Sequence, residues 1–346
     1  MPAARRISIK DIARAAGVSS STVSRALNDS SLISLDVRTR IQRLAREMGY
    51  TPNALAQSLQ SNRSHSVGVI ITTISDPYFA RLVQGVEEAA RQKGLTVFMA
   101  TSSNDPDNEI RILENFQRRR VDGVILAASR IDEEYARKFE HVRLPVIMVN
   151  NQATGQNPDL HSLSMDDLSG GEMAAEHLYA LGHRRIGYAG MRNRPGSNAR
   201  RLQGYQAVMR RHGLEARPEF ICNSPEDAPD GLEGDFTAGK EMALALLDQG
   251  ASAIFCYCDS VAAGALAACR ERNLAVPEQV SIIGYDDSDL CPILTPTLTT
   301  IHQPALDMGR MALQMLAKTL SGEPVADTVL QPSLVKRGST APAGQS

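Results

Sequence analysis

Few residues in this chain carry types and spacings suited to making or breaking bonds. GDFTAGKE (234–241) has the G-x-x-x-x-G-K spacing of a phosphate-cradling loop, but Glu241 stands where Ser or Thr must ligate magnesium, and no strand precedes it. It reads as a loop entering a helix. Cys256 and Cys258 alternate along an apolar run, so as strand residues they would face opposite sides of a sheet, which suits core packing rather than a metal ion. The seven histidines show no H-E-x-x-H or paired spacing, and no G-x-S-x-G turn is present. No catalytic residue, metal or cofactor is expected. The five cysteines (Cys222, Cys256, Cys258, Cys269 and Cys291) are odd in number and lack paired C-x-x-C spacing, so they read as free thiols.

Binding chemistry is better represented. Residues 1–64 hold ten Lys/Arg against four Asp/Glu, a net of +6; the whole chain is −2, so the remainder carries −8. A basic head on an acidic body is the asymmetry expected where one end meets a polyanion. Within the head, Ser8 and Asp11 have the spacing of a helix cap with an acid three residues on, and the apolar stripe Ile12, Ala13, Ala16 ends at Gly17. Val18 and Val23 bracket a Ser19 cap, and Val23, Ala26 and Leu27 continue an apolar face. Ser34 caps a third helix bearing Val37, Ile41, Leu44, Ala45 and Met48, which stops at Gly49. A helix, a Gly turn and a polar, basic second helix form the arrangement that sets a recognition helix in the major groove. Pro52 opens a further segment, Asn53–Leu59, with helical pattern for about two turns, too short to be stable alone. That makes it a candidate switch.

The chain of 346 residues, 42% apolar and 22% charged, has an ordinary globular composition but is too long for one compact core. No apolar run reaches the roughly 18 to 20 residues a membrane span requires, and no export signal precedes the head, so a cytoplasmic protein is expected. From residue 66, apolar runs starting at 66, 96, 122 and 145 alternate with helical patterns, and the cycle restarts with runs at 161, 185, 253 and 280. Near-continuous apolar strands separated by helices predict parallel sheets covered on both faces, here as two α/β units in series. In such sheets ligands bind at the carboxyl ends of strands, so the polar residues just after each run are the ones to inspect.

The stretches SIKDIARAAGVSSSTVSRALN (8–28) and GYTPNALAQSL (49–59) resemble the LacI/GalR family of bacterial transcription repressors. The resemblance continues through DPYF (76–79), RVDGVI (120–125), ALGHRRIGYAG (180–190), CDSVAAGAL (258–266), VSIIGYDD (280–287) and LTTIHQP (298–304), almost the whole chain. It implies an α plus α/β architecture: a helix-turn-helix domain (1–52), a hinge helix and linker (53–65), and a two-lobed periplasmic-binding-protein-like α/β effector core (66–346). It also implies a homodimer or pair of dimers that binds operator DNA, is controlled by a small polar effector of carbohydrate type, and needs no membrane.

By the same resemblance, Ser20, Ser21 and Arg25 face base edges, with Arg25 matching the two acceptors of guanine, while Thr22 and Ser24 are phosphate or near-groove contacts. Ser8, Asn28, Asn53 and Ala56 complete the implied DNA-contacting set, and Leu59 is the residue that wedges the minor groove. Each serine also suits a plain helix start, and Leu59 also suits dimer packing. The implied effector residues are Asp76, Tyr78, Phe79, Asn150, Asn151, Ser197, Arg201, Phe236, Cys258, Asp286 and Gln303. Aromatic faces suit the C–H surface of a sugar ring, and charged or amide groups hold vicinal hydroxyls. Tyr78 equally suits a core position, and Arg201 a salt bridge with Asp286. Asn150 stands where relatives often place a carboxylate and Cys258 where many carry Asn, which argues against a common hexose or pentose. The rival expectation is a cytoplasmic solute-binding protein or sugar-modifying enzyme with an N-terminal interaction head.

Overall fold

The computed structural model describes residues 7–50, 63–130, 144–152 and 160–344. It divides into two units, one ending at Ser64 and one beginning at His65. The candidate hinge residues Asn53, Ala56 and Leu59 lie outside the described residues, as does the helical pattern read around 132–141.

The first unit is built from α1 (Ile9–Ala16), α2 (Ser20–Leu27) and α3 (Leu35–Glu47). Ser8 and Asp11 form a reciprocal capping box, the Asp11 N–H donating to Ser8 Oγ (3.3 Å) and the Ser8 N–H to Asp11 Oδ2 (3.0 Å). Gly17 ends α1 at φ 67°, a left-handed conformation that an L side chain would strain. Ser19 caps α2 by accepting from the Thr22 N–H at 3.1 Å. Ser34 stands at the start of α3 but makes no side-chain cap bond, a correction to the expected cap. Ile12, Ala13, Val23, Ala26, Ile41 and Ala45 are buried together, which is the stripe expected from each helix. Arg40 ties α3 to the end of α1 through the Ala16 carbonyl (2.7 Å).

The second unit holds two six-stranded sheets. Its elements are β1 (Ser66–Ile71), α4 (Pro77–Gln92), β2 (Thr96–Thr101), α5 (Pro106–Arg118), β3 (Gly123–Ala127), β4 (Val146–Val149), β5 (His161–Met165), α6 (Asp167–Ala180), β6 (Ile186–Gly190) and α7 (Pro195–Arg211). There follow β7 (Ile221–Asn223), α8 (Leu232–Asp248), β8 (Ala253–Cys256), α9 (Asp259–Glu271), β9 (Ser281–Asp286), β10 (Thr299–His302), α10 (Ala305–Ser321), β11 (Thr328–Leu330) and β12 (Ser333–Val335). Sheet one runs β11-β5-β4-β3-β1-β2 and sheet two β12-β10-β9-β8-β6-β7. All pairs are parallel except β10 with β12. The apolar runs are therefore buried strands, as their hydrophobicity predicts.

The two lobes are not in series. Strand β5, read from sequence as the start of the second unit, joins sheet one, and α10 returns to pack on α4 of the first lobe. The chain crosses between lobes after Met165, after His302 and between Leu330 and Ser333. Nothing in the local patterns marks these crossings, because each strand and helix has the same texture whichever sheet it serves.

Three helix pairs approach closely through reciprocal glycines. A Cβ on Gly85 of α4 would lie 1.9 Å from the Leu306 carbonyl oxygen of α10, and one on Gly309 of α10 would lie 2.0 Å from that of Leu82. Gly171 and Gly204 bring α6 against α7 in the same way, and Gly239 and Gly264 bring α8 against α9. Gly239 belongs to the GDFTAGKE stretch, which is not a loop entering a helix but lies wholly within α8. Its glycine serves helix contact. Likewise, of Cys256 and Cys258 only the first lies in a strand; Cys258 follows it at the start of α9, so the opposed strand faces expected for the pair do not occur.

Candidate functional site

Two regions gather the sequence-predicted residues, and each lies within one unit. In the first, Val23 and Ala26 anchor α2 to the core, which turns Ser20, Ser21, Arg25 and Asn28 outward as exposed residues with Thr22 and Ser24 half-buried beside them. The Ser21 and Thr22 hydroxyls hydrogen-bond Ser19 Oγ at 2.8 and 2.9 Å, so both take part in the helix start. Ser8 is similarly engaged, its hydroxyl donating to Asp11 Oδ2 at 2.6 Å. Arg25 is exposed with no salt-bridge partner among the described residues, an unspent cation on a polar helix face.

The second region is a narrow cleft, with about 40 Å³ of open space, between the ends of the two sheets. Asp76, Tyr78, Phe79, Asn150, Ser197, Arg201, Cys258, Asp286 and Gln303 all line it, together with Gln152, Arg194 and Tyr257. Asn151 and Phe236 do not. Phe236 is 37% exposed on α8, and the Asn151 carbonyl accepts distantly from Arg200 (3.5 Å).

From the first lobe, Asp76 caps α4, accepting from the Tyr78 N–H at 2.9 Å. Tyr78 meets Phe79 edge-on, with ring centroids 5.4 Å apart. Its hydroxyl accepts from Asn150 Nδ2 (2.7 Å), while Asn150 Oδ1 accepts from the Met165 N–H (3.0 Å). The Asn150 amide is thus committed to fastening β4 to its surroundings. Gln152 reaches across the cleft: its Oε1 accepts from the Ser197 N–H (3.0 Å) and Oγ (2.9 Å), and the Ser197 hydroxyl meets Tyr257 OH at 2.6 Å.

From the second lobe, Arg201 is 3% exposed and donates to Asp167 Oδ1 (2.9 Å) and the Tyr257 carbonyl (2.6 Å). The salt bridge expected with Asp286 is replaced by this one to Asp167, which α6 brings alongside α7. Asp286 ends β9 at φ 112°, a strained conformation for a non-glycine residue, and accepts from Gln303 Nε2 at 2.6 Å. Burial holds the Asp286 carboxyl well above the usual carboxylate range; Arg201 opposes that rise, while Asp259 and Asp76 add to it. The buried Cys258 thiol is pushed well up for the same first reason, so it stays a neutral S–H and faces Asp235 Oδ2 at 3.6 Å. Gln303 Oε1, on a residue that lines the cleft, is buried with no hydrogen-bond partner among the described residues. Such an atom is costly to leave unpaired, and it suits a ligand that supplies a donor.

Sequence reasoning missed Arg194, Gln152, Tyr257 and Asp235. The first three follow strand ends, so inspecting the residues after each apolar run could have found them; Asp235 lies inside a helix, where no such signal exists.

Beside the cleft, Glu109 is buried on α5, with Ser129 Oγ donating to it at 2.6 Å. The Ser129 carbonyl in turn accepts from the Gln152 N–H (2.7 Å). Burial raises the Glu109 carboxyl to about 7, against the pull of Ser129, Ser102 and Arg130 and with a push from Asp105. The folded state therefore favours the protonated form: its contribution is complete below about pH 4.3 and is lost as pH rises through about 7. The span amounts to roughly 4 kcal/mol. In Glu109→Gln, the loss of stability between pH 5 and pH 8 should shrink by a large part of this amount, read by denaturant unfolding at both pH values. An unchanged pH dependence would contradict the assignment.

Comparison with known proteins adds to this geometry. Residues 8–53 match the family described as bacterial regulatory proteins, lacI family, and residues 175–340 match the periplasmic binding protein-like domain. The chain is 34% identical over 339 residues to the HTH-type transcriptional repressor CytR of Escherichia coli (strain K12), with 96% of each chain covered. It is 33% identical over 343 residues to the ribose operon repressor of the same strain, covering 96% of this chain and 99% of that one. Among solved structures, the lac repressor dimer bound to operator and the anti-inducer ONPF matches with a TM-score of 0.85 at 26% identity, covering 97% of this chain and all of that one.

Proposed function

The chain belongs to the LacI family of bacterial regulatory proteins, and from that premise we propose that it is a cytoplasmic, dimeric transcriptional repressor whose DNA affinity is set by a small polyhydroxylated ligand bound between its lobes. The heads of the two protomers contact a pseudo-palindromic operator. Ligand in the cleft alters the lobes, and the segment 53–65 carries that change to the heads.

The observation that carries this function is the convergence of buried polar residues from both lobes on one cleft, in a chain whose separate basic unit turns Arg25 and its serines outward. Asp76, Tyr78 and Gln152 come from the first lobe, Ser197, Arg201 and Asp286 from the second, so occupancy and lobe arrangement are linked. The relatives named above are a ribose operon repressor and an operator-bound repressor.

Two tests follow. The full chain should bind DNA with an affinity that falls linearly on a log-log salt plot, by a slope of roughly −0.9 per phosphate contact. Salt-independent affinity would remove the head from the DNA-binding class. A thermal-shift screen of sugars, polyols and nucleosides should find a stabilising ligand whose effect is lost in Asp286→Asn. A stabiliser that acts equally on both proteins would place its site elsewhere.

A further inference from the structure

The two arginines that line the cleft are already matched by carboxylates of the protein. Besides its bonds to Asp167 and the Tyr257 carbonyl, the Arg201 guanidinium lies 4.5 Å from the Tyr257 ring centroid and 3.5 Å from that of Tyr285. Arg194 donates from Nη1 to both Asp235 oxygens (3.2 and 3.0 Å) and from Nη2 to Asp76 Oδ2 (3.1 Å), with Asp230 4.0 Å away. Asp286 adds a carboxylate whose bond from Gln303 is uncharged.

The cluster therefore sets Arg194 and Arg201 against Asp76, Asp167, Asp230, Asp235 and Asp286, three more acidic groups than basic ones; the half-buried Arg200, 3.3 Å from Asp167, offsets one. In the adjoining recess Arg130 is outnumbered by Glu226, Asp227 and Asp230. Burial raises the carboxyls of Asp76, Asp230, Asp235 and Asp286 in spite of the arginines beside them, and neighbouring aspartates add to the rise. An anionic group entering such a cleft meets no unspent guanidinium among the described residues and must approach the surplus carboxyl groups in a poorly solvated space.

We propose that the cleft selects its ligand by charge: it takes an uncharged or ammonium-bearing polyhydroxylated molecule and excludes phosphate- and carboxylate-bearing ones, because Asp235 and Asp167 hold both arginines neutralised. This rests on the cleft being the effector site. Asp235 and Asp167 act through the arginines and so are positioning residues.

The test uses the full chain and matched compounds: glucose, glucosamine, gluconate and glucose 6-phosphate; ribose and ribose 5-phosphate; uridine and its 5′-monophosphate. Calorimetry should show that each binder is neutral or ammonium-bearing and that its phosphorylated counterpart is weaker by roughly 100-fold or more, as like-charge contact implies. A phosphorylated or carboxylate member that binds as tightly as its parent, and loses its affinity in Arg194→Ala, overturns the proposal.

A second arm needs no effector. Millimolar inorganic phosphate should leave the melting temperature of the wild type unchanged and raise that of Asp76→Asn/Asp235→Asn, which removes both carboxylates that accept from Arg194; adding Arg194→Ala should cancel the gain. Should that double variant not fold, Asp167→Asn releases Arg201 and gives the same readout. Phosphate that stabilises the wild type through Arg194, or fails to stabilise the folded variant, overturns the proposal. A panel in which no compound of any charge binds refutes the effector site instead, and the phosphate arm still decides the charge claim.

Discussion

Arg201→Ala is expected to abolish the ligand response and to cost on the order of 3 to 5 kcal/mol of stability, the usual range when one partner of a buried ion pair is removed. The residue is 3% exposed, and its loss strands Asp167, itself 2% exposed, without its buried cation. The half-exposed Arg200 remains beside Asp167 and softens the cost. Asp286→Asn should behave differently. Asparagine keeps the shape and can still face Gln303, and it removes a surplus buried negative charge, so stability should hold or rise. Ligand affinity should nevertheless fall, because charge-assisted hydrogen bonds to ligand hydroxyls, typically worth about 1.5 to 3 kcal/mol each, are weakened. Denaturant unfolding and calorimetry of the two variants separate these effects. Undiminished ligand affinity in both would remove them from the site.

Arg25→Ala is expected to weaken binding to the cognate operator by about 1 to 3 kcal/mol and to relax selectivity at one base pair, since a guanidinium fork matches the two major-groove acceptors of guanine. The fold should tolerate the change, because Arg25 is exposed while Val23 and Ala26 hold α2 in place. Stability should stay within about 0.5 kcal/mol of wild type. Competition binding against operator variants checks this, and an equal loss on every sequence would reassign Arg25 to a phosphate contact.

Much of this architecture was legible in residue pattern. Capping residues and apolar stripes marked the three head helices because local bonds there coincide with the tertiary packing; Ser34 misled because a cap-forming residue can start a helix without making the bond. The strands were visible as apolar runs, but their assignment to sheets was not. His161–Met165 and Ala305–Ser321 join the first lobe through long-range pairing that leaves no trace in local periodicity.

The cleft was partly legible for the same reason. Residues at or just after strand ends, such as Asp76, Asn150, Cys258 and Asp286, follow from the strand-end rule combined with the family resemblance. Phe236 does not line the cleft, because its phase on α8 leaves it partly exposed to solvent. Asp235, its immediate neighbour, faces inward to Arg194. The match of Arg201 with Asp167 depends on the close packing of α6 on α7 that Gly171 and Gly204 permit, a contact invisible before the helices are placed.

The central claim is that occupancy of the interlobe cleft controls the hold of the head on DNA. It is tested most directly by measuring operator affinity of the full chain, by fluorescence anisotropy at fixed salt, with and without a ligand shown by calorimetry to bind the cleft. The predicted result is a shift of roughly 5- to 150-fold, the range of ordinary allosteric coupling, absent in Arg201→Ala. A ligand that saturates the cleft and leaves operator affinity unchanged would contradict it.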